Sequence, residues 1–323
     1  MVWAASLANP RPPANAQDRP PMSFVVAHLT DVHLGPLPRP RFEELRVKRV
    51  MGYVNWKRAR ERLSDMAALA RLVDDMGAQK PDHVAVTGDL VNIGLPSEFR
   101  RAAQWMGGLG DPDDVSLTPG NHDAYVRDAM PHLAAAFAPW TQGDAEYAHG
   151  ETFPFVRVRG DVALIGLSTA TPTGPLMATG RLGARQIEAL AAILSKTGAS
   201  GLARVILIHH PPLARGGGPL RSLIDARAFE ATVARHGAEA ILHGHTHKSM
   251  VDHLASPATR VEGGRIPIVG APSASSASTD PRQRAAYHLI RLERAGEHWR
   301  ISARARGLAL GSGEIGERTA PAV

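Results

Sequence analysis

"TPGNHDAY", residues 118–125, sets a Gly, an Asn, a His and an Asp in succession where the short strand pattern "DVSL" runs out. Pro119, Gly120 and Asn121 are turn formers, and alone they say only that the chain changes direction. The same arrangement recurs, however. Asp31 and His33 follow "FVVAHLT", and Asp89 follows "DHVAVTG". His209 and His210 follow "ARVILI", and His245 and His247 follow "EAILHG". In open α/β sheets, ligands bind in the crevice outside the carboxyl ends of the strands. Five apolar strands that each stop at imidazoles or carboxylates therefore predict an α/β fold with one polar site at its strand ends.

The intervening segments fit that fold. Residues 43–77 are helical in character, with Leu63, Met66, Ala67, Leu69, Ala70 and Val73 at three-to-four spacing and Gly77 as the expected stop. Ser97 is the expected cap of the next helix. Further helices are predicted near 183–196 and 225–236. "FPFVRVRG" and "DVALIGLST" read as an antiparallel pair turning at Gly160-Asp161, and "RIPIVGAPS" as a further strand. "AAYHLIRLER" and "HWRISARARG" read as a terminal hairpin. No repeat or linker divides residues 23–308, which form one domain between a tail at 1–22 and another at 309–323.

Hydrophobic residues make up 44% of the 323-residue chain and charged ones 21%, the balance of a globular protein. The apolar runs are too short to span a bilayer. The N-terminal segment has an Ala14-Asn15-Ala16 but no basic region before it, so it reads as a flexible tail and the expected location is cytoplasmic. No cysteine is present, which excludes disulfides and thiolate metal sites. The net charge of +6 is concentrated: residues 39–62 hold nine Lys/Arg against three Asp/Glu, and elsewhere 28 basic residues meet 28 acidic ones. With Val50, Met51, Tyr53, Val54 and Trp56 interleaved, this segment could meet an anionic membrane or an acidic substrate. No recognition motif accompanies it, which argues against a nucleic-acid partner. The oligomeric state is not fixed by the sequence.

Four imidazoles, two carboxylates and one amide carbonyl would suffice for two metal ions. Asp31-Val32-His33 and His245-Thr246-His247, if extended, would send alternate side chains to one side. Oxygen and nitrogen ligands without thiolate favour Mn, Fe, Zn, Co or Ni. Two divalent ions against Asp31 and Asp89 leave a positive residue that suits a hydroxide and an anionic substrate. His210 remains an alternative to His209 at this stage, and Asp123 fits better as an orienting residue than as a ligand.

In order, "DVH", "GDL", "GNHD", "IHHPP" and "GHTH" resemble the motif set of the calcineurin-like metallophosphoesterase family, spread from residue 31 to residue 247. Each motif is weak and the ordered five are specific. The resemblance implies a four-layer αββα sandwich of two mixed sheets. It implies one ion, such as Mn, Fe, Zn or Co, held by Asp31, His33, Asp89 and His247. A second would be held by Asp89, Asn121, His209 and His245, with Asp89 shared. It also implies hydrolysis of a phosphoester by a hydroxide bridging the ions, with His122 beside the scissile phosphate.

"LTDVHLG", "VTGDLVN" and "PGNHDAY" look closest to the bacterial cyclic-nucleotide-phosphodiesterase-like branch, whose substrate would be a small anionic phosphodiester. The chain departs from that branch in its basic insert, residues 36–62. "KRVMGYVNWKRAR" there is reminiscent of members that cleave the pyrophosphate of UDP-2,3-diacylglucosamine at the inner membrane. A nuclease and a non-catalytic scaffold are the remaining alternatives, and the complete ligand set argues against the scaffold.

Overall fold

The computed structural model describes residues 23–309, 311, 313–319 and 323; the expected tail at 1–22 lies outside the described residues. Among the described residues, twelve strands form two six-stranded sheets. The first contains β1 (Ser23–Leu29), β2 (His83–Val86), β3 (Val115–Leu117), β10 (Ala286–Ala295), β11 (His298–Leu308) and β12 (Ile315–Arg318). Its order is β12-β11-β10-β1-β2-β3, with β1, β2 and β3 parallel and the others antiparallel. The second contains β4 (Phe155–Arg159), β5 (Val162–Gly166), β6 (Ala203–Leu207), β7 (Ala240–His243), β8 (Met250–Ala255) and β9 (Arg265–Gly270). Its order is β4-β5-β6-β7-β9-β8, parallel in the middle and antiparallel at both edges.

The helices are α1 (Val47–Asn55), α2 (Glu61–Leu63), α3 (Met66–Ala78), α4 (Pro96–Met106), α5 (Met130–Thr141), α6 (Ala184–Ala199) and α7 (Ala226–His236). The layering follows from strand periodicity, because successive side chains point to opposite faces. In β1, Ala27 and Leu29 pack with Leu72, Phe99 and Phe137 of α3, α4 and α5, whereas Val26 faces the second sheet. In β6, Ile206 packs with Leu194 and Phe229 of α6 and α7, whereas Val205 and Leu207 face the first sheet. The result is two mixed sheets face to face, each covered by helices, with three apolar cores stacked across the molecule. Each fully buried Leu, Ile or Phe in them contributes on the order of 1.5–3 kcal/mol relative to exposure.

Several expectations require correction. The helical segment expected at 43–77 is broken. After α1 the chain passes through a π-helical turn, Trp56–Arg60, and the run stops at Ser64 and Asp65. There Asp65 accepts from Ala68 N and starts α3. Ser97 does not cap α4: Leu95 holds the cap position, Pro96 is the first helical residue, and Glu98 accepts from Leu95 N. Leucine has no acceptor to offer, so only the Glu half of a capping box is present. The edge strand β8 has no counterpart in the sequence reading. Residues 315–318, within the segment read as a C-terminal tail, pair as β12 along β11.

Candidate metal centre

Asp31 and His33 follow β1, Asp89 follows β2, and Asn121 with His122 follows β3. His209 follows β6, and His245 with His247 follows β7. All five parallel strand ends open on the same crevice, between the two sheets. The sheets are joined there by a bridge between Thr30 and Ser273, with Ala274 N donating to Thr30 O at 3.0 Å.

The local backbone is not the extended one that the alternate spacing suggested. Asp31 (φ 50), His33 (φ 44), Asp89 (φ 56), His245 (φ 66) and His247 (φ 53) are left-handed. They make up five of the seven non-glycine residues with positive φ among the described residues. Each such residue costs of order 1–3 kcal/mol and persists only where its surroundings over-determine it. Those surroundings are identifiable. Asp31 N donates to Gly88 O and His33 N to Asp89 O, both at 2.9 Å. His245 N donates to Asp31 Oδ2 at 2.8 Å, and Thr30 Oγ1 donates to the same oxygen at 2.9 Å.

Three clusters of ligand-type atoms result: Asp31 with His33 and His247; Asp89 with His209 and His245; and His33 with Asp89 and His122. Asp89 Oδ2 lies 3.8 Å from His33 Nε2 and 3.4 Å from His209 Nε2, so this one oxygen borders both ends of the site. Its partner Oδ1 accepts from His122 N at 2.7 Å. Asp31 Oδ1 is buried and lies 3.0 Å from His247 Nε2. Asn121 Oδ1 sits 2.8 Å from His245 Nδ1 and 3.3 Å from His209 Nε2.

Both carboxylates are fully buried. Burial opposes their ionisation, but His247 beside Asp31, and His209 with His122 beside Asp89, hold both below the ordinary carboxylate range. Burial likewise works against protonated His209, and Asp89 overcomes it, lifting the imidazole to about 9. A buried carboxylate pair demands compensating positive charge. The converging oxygen and nitrogen donors, with no thiolate among them, fit divalent metal ions in that role.

The structure separates His209 from His210. His209 Nε2 points at Asp89, while its Nδ1–H donates to Thr87 O at 2.6 Å, a bond of the kind that orients a ligating imidazole. His210 instead has both ring nitrogens committed, Nδ1 to Thr169 Oγ1 at 2.7 Å and Nε2 to Ala178 O at 3.1 Å. Asp123 is likewise committed elsewhere: it accepts from the backbone N–H of Gly120, Asp89, Leu90 and Val91 and ties two strand ends together.

Sequence reasoning missed Glu98 and the Asn92 carbonyl. Buried Glu98 accepts from Asn92 N, Ile93 N and Leu95 N, fixing the loop whose Asn92 carbonyl receives His122 Nδ1–H at 2.5 Å. A Glu three residues after the true cap was the available signal. The stretch 271–279 also gains a place, because Ser273, Ser275, Ser276 and Ser278 line the cleft above the site. That cleft, of about 700 Å³, is closed on the other side by Trp56, Leu63 and Ser64. Asp65 N donating to Ser275 O and Ala277 N to Leu63 O stitch the two rims together.

A family model described as calcineurin-like phosphoesterase matches residues 24–249. The chain belongs to that family. It is a metal-dependent phosphoesterase, and the family implies the divalent ions for which the clusters provide ligands. A 63-residue stretch, 18% of this chain, is 41% identical to a glycerophosphodiester phosphodiesterase of Enterobacter lignolyticus; the match spans 22% of that relative. A probable cyclic nucleotide phosphodiesterase of Synechococcus sp. is 24% identical over 282 residues, 86% of this chain and 91% of the relative. Among solved structures, a dimetal phosphatase from Danio rerio aligns over 91% of this chain and 98% of its own, with a TM-score of 0.59 at 14% identity. That likeness shows a shared fold.

Proposed function

We propose that the protein hydrolyses a small phosphodiester, with a cyclic nucleotide or a glycerophosphodiester as the leading substrate classes. The observation that carries this reading is Asp89 Oδ2 bordering two ligand clusters at the floor of an open, hydroxyl-lined cleft. Asp31, His33, Asp89 and His247 would hold one ion, and Asp89, Asn121, His209 and His245 the other. Two ions held in that way acidify a bound water and neutralise the phosphoryl oxygens. His122 lies at the same floor with Nδ1–H committed to the Asn92 carbonyl, which makes Nε2 the nitrogen that can give a proton to the leaving oxygen. The names of the two curated relatives support a diester over a monoester. The test is turnover of bis(p-nitrophenyl) phosphate by metal-stripped protein resupplied with Mn²⁺, Fe²⁺, Co²⁺ or Zn²⁺. Turnover is expected with at least one ion, and none with any ion would sink the reading.

A second reading concerns the partner. Trp56 is buried, and Arg49 is locked onto the Ile93, Gly94 and Glu44 carbonyls and Asp128, so neither is available to a partner. The face that α1 does expose is Val47, Val50, Met51 and Val54, one stripe at helical spacing. Exposed Arg46, Lys57 and Arg58 flank it along the chain, and Arg39 and Arg41 are exposed in the loop before it. Two copies meeting through this face would bring like charges together, whereas an anionic bilayer would neutralise them. It favours a membrane-associated substrate, such as the pyrophosphate of a nucleotide-linked lipid. No described helix is long and apolar enough to cross a membrane, so such contact would be peripheral. Val50→Glu/Val54→Glu protein is expected to lose sedimentation with phosphatidylglycerol vesicles while keeping bis(p-nitrophenyl) phosphate turnover. Equal sedimentation of both proteins, or of neither, would remove the membrane reading.

A further inference from the structure

The basic segment is fastened to the catalytic floor by a small apolar core of its own. Leu37, Trp56, Ile93 and Leu95 form it, with Tyr53 and Tyr125 packed against them. Tyr125 is the point where this core meets the site. Its ring stacks on the His122 imidazole, with centroids 5.5 Å apart and planes 20° from parallel. The Lys48 ammonium lies 4.5 Å from the Tyr125 ring centroid, and Tyr125 Oη donates to the Lys48 carbonyl at 3.2 Å. Lys48 is itself held by Thr173, through its carbonyl at 2.9 Å and its hydroxyl at 3.0 Å. Close packing requires Gly52 one turn along α1, because a Cβ there would collide with Tyr125 Oη and come within 2.7 Å of Ile93 Cγ2.

We propose that Tyr125 is a positioning residue for His122, and that α1 of the basic segment exists in part to hold that ring in place. The Asn92 carbonyl fixes one edge of the imidazole, and the His33 ring meets it edge-on with centroids 4.8 Å apart. The stacked Tyr125 ring backs the imidazole face and completes the setting that aims Nε2 at the leaving oxygen. In the step concerned, a hydroxide derived from water forms a P–O bond as the P–O bond to the leaving group breaks, the leaving oxygen takes the Nε2 proton, and the imidazole is left neutral. Misalignment therefore harms poor leaving groups most, since a good one departs without a proton. The inference rests on His122 acting as that proton donor.

The experiment compares p-nitrophenyl methyl phosphate with phenyl methyl phosphate, whose leaving phenol is the more basic, for full-length metal-loaded protein. Tyr125→Leu is expected to lower kcat on the phenyl ester by about 10–100-fold and on the nitrophenyl ester by less than about 3-fold, with KM unchanged. Tyr125→Phe, which keeps the ring, is expected to restore both. Gly52→Ala, on α1 outside the cleft, is expected to reproduce the Tyr125→Leu pattern in weaker form. Thermal melting identifies any variant that simply fails to fold, and Tyr125→Phe against Gly52→Ala then carries the comparison. If His122→Ala shows the leaving-group dependence and Tyr125→Leu slows both esters equally or neither, the positioning role is wrong. If His122→Ala shows no such dependence, proton donation by His122 is wrong and the inference falls with it.

Discussion

Asp89→Asn is expected to lower kcat/KM by on the order of 10³-fold or more and to reduce the bound metal. The substitution keeps shape and volume, and its amide oxygen can still accept from His122 N as Oδ1 does now. What it removes is the charge at Oδ2, the oxygen 3.8 Å from His33 Nε2 and 3.4 Å from His209 Nε2. Asp31 would then be the last carboxylate in the ligand set, facing the charge of two divalent ions. Measuring metal per chain by plasma mass spectrometry together with kcat/KM separates the possible causes. An Asp89→Asn protein that binds two ions and turns over at the wild-type rate would show that Asp89 does not bridge.

Gly120→Ala should be nearly as damaging, for a steric reason. A Cβ at residue 120 would strike Asp89 Oδ1 and lie 2.7 Å from both Asp89 N and His209 Cε1. Backbone and two site residues surround it, so nothing flexible can give way. Overpacking of this kind costs about 1–3 kcal/mol of stability, and a shift of roughly 1 Å in Asp89 costs about 10²-fold in rate. Gly77→Ala in α3, where an added Cβ meets nothing within 4 Å, is the matched control and should leave activity unaltered. Urea denaturation and kcat for both variants give the comparison. Wild-type kcat in Gly120→Ala would mean that the turn is not under the constraint described.

The fold was largely legible because its strands are short apolar runs that end in polar residues. The β4–β5 hairpin, turning at Gly160-Asp161, and the β10–β11 pair follow directly from alternation and turn chemistry. β8, "MVDHLA", was not legible: an edge strand without a fully buried residue has no apolar run to reveal it. The crevice residues were legible as a set, but the reason given for their convergence was wrong. Alternation along an extended chain was expected at Asp31 and His33, yet β1 ends at Leu29 and the backbone beyond it is left-handed. Such a conformation comes from long-range bonds to Gly88 O and Asp89 O, which no local pattern encodes. Trp56 was misplaced for a related cause. Its burial depends on Leu37, Ile93 and Leu95, two of them far along the chain.

The bridge between Thr30 and Ser273 has a consequence for how divisible the protein is. Asp31, His33, Asp89 and Asn121 are carried by the first sheet, and His209, His245 and His247 by the second. Neither sheet alone presents the full ligand set proposed for either ion, and β10 to β12 return to the first sheet only after the second is complete. No cut along the chain yields a half that owns the chemistry. Ions seated across this seam as proposed would act as rivets between the sheets, so that the energy of binding them would also be energy of assembly.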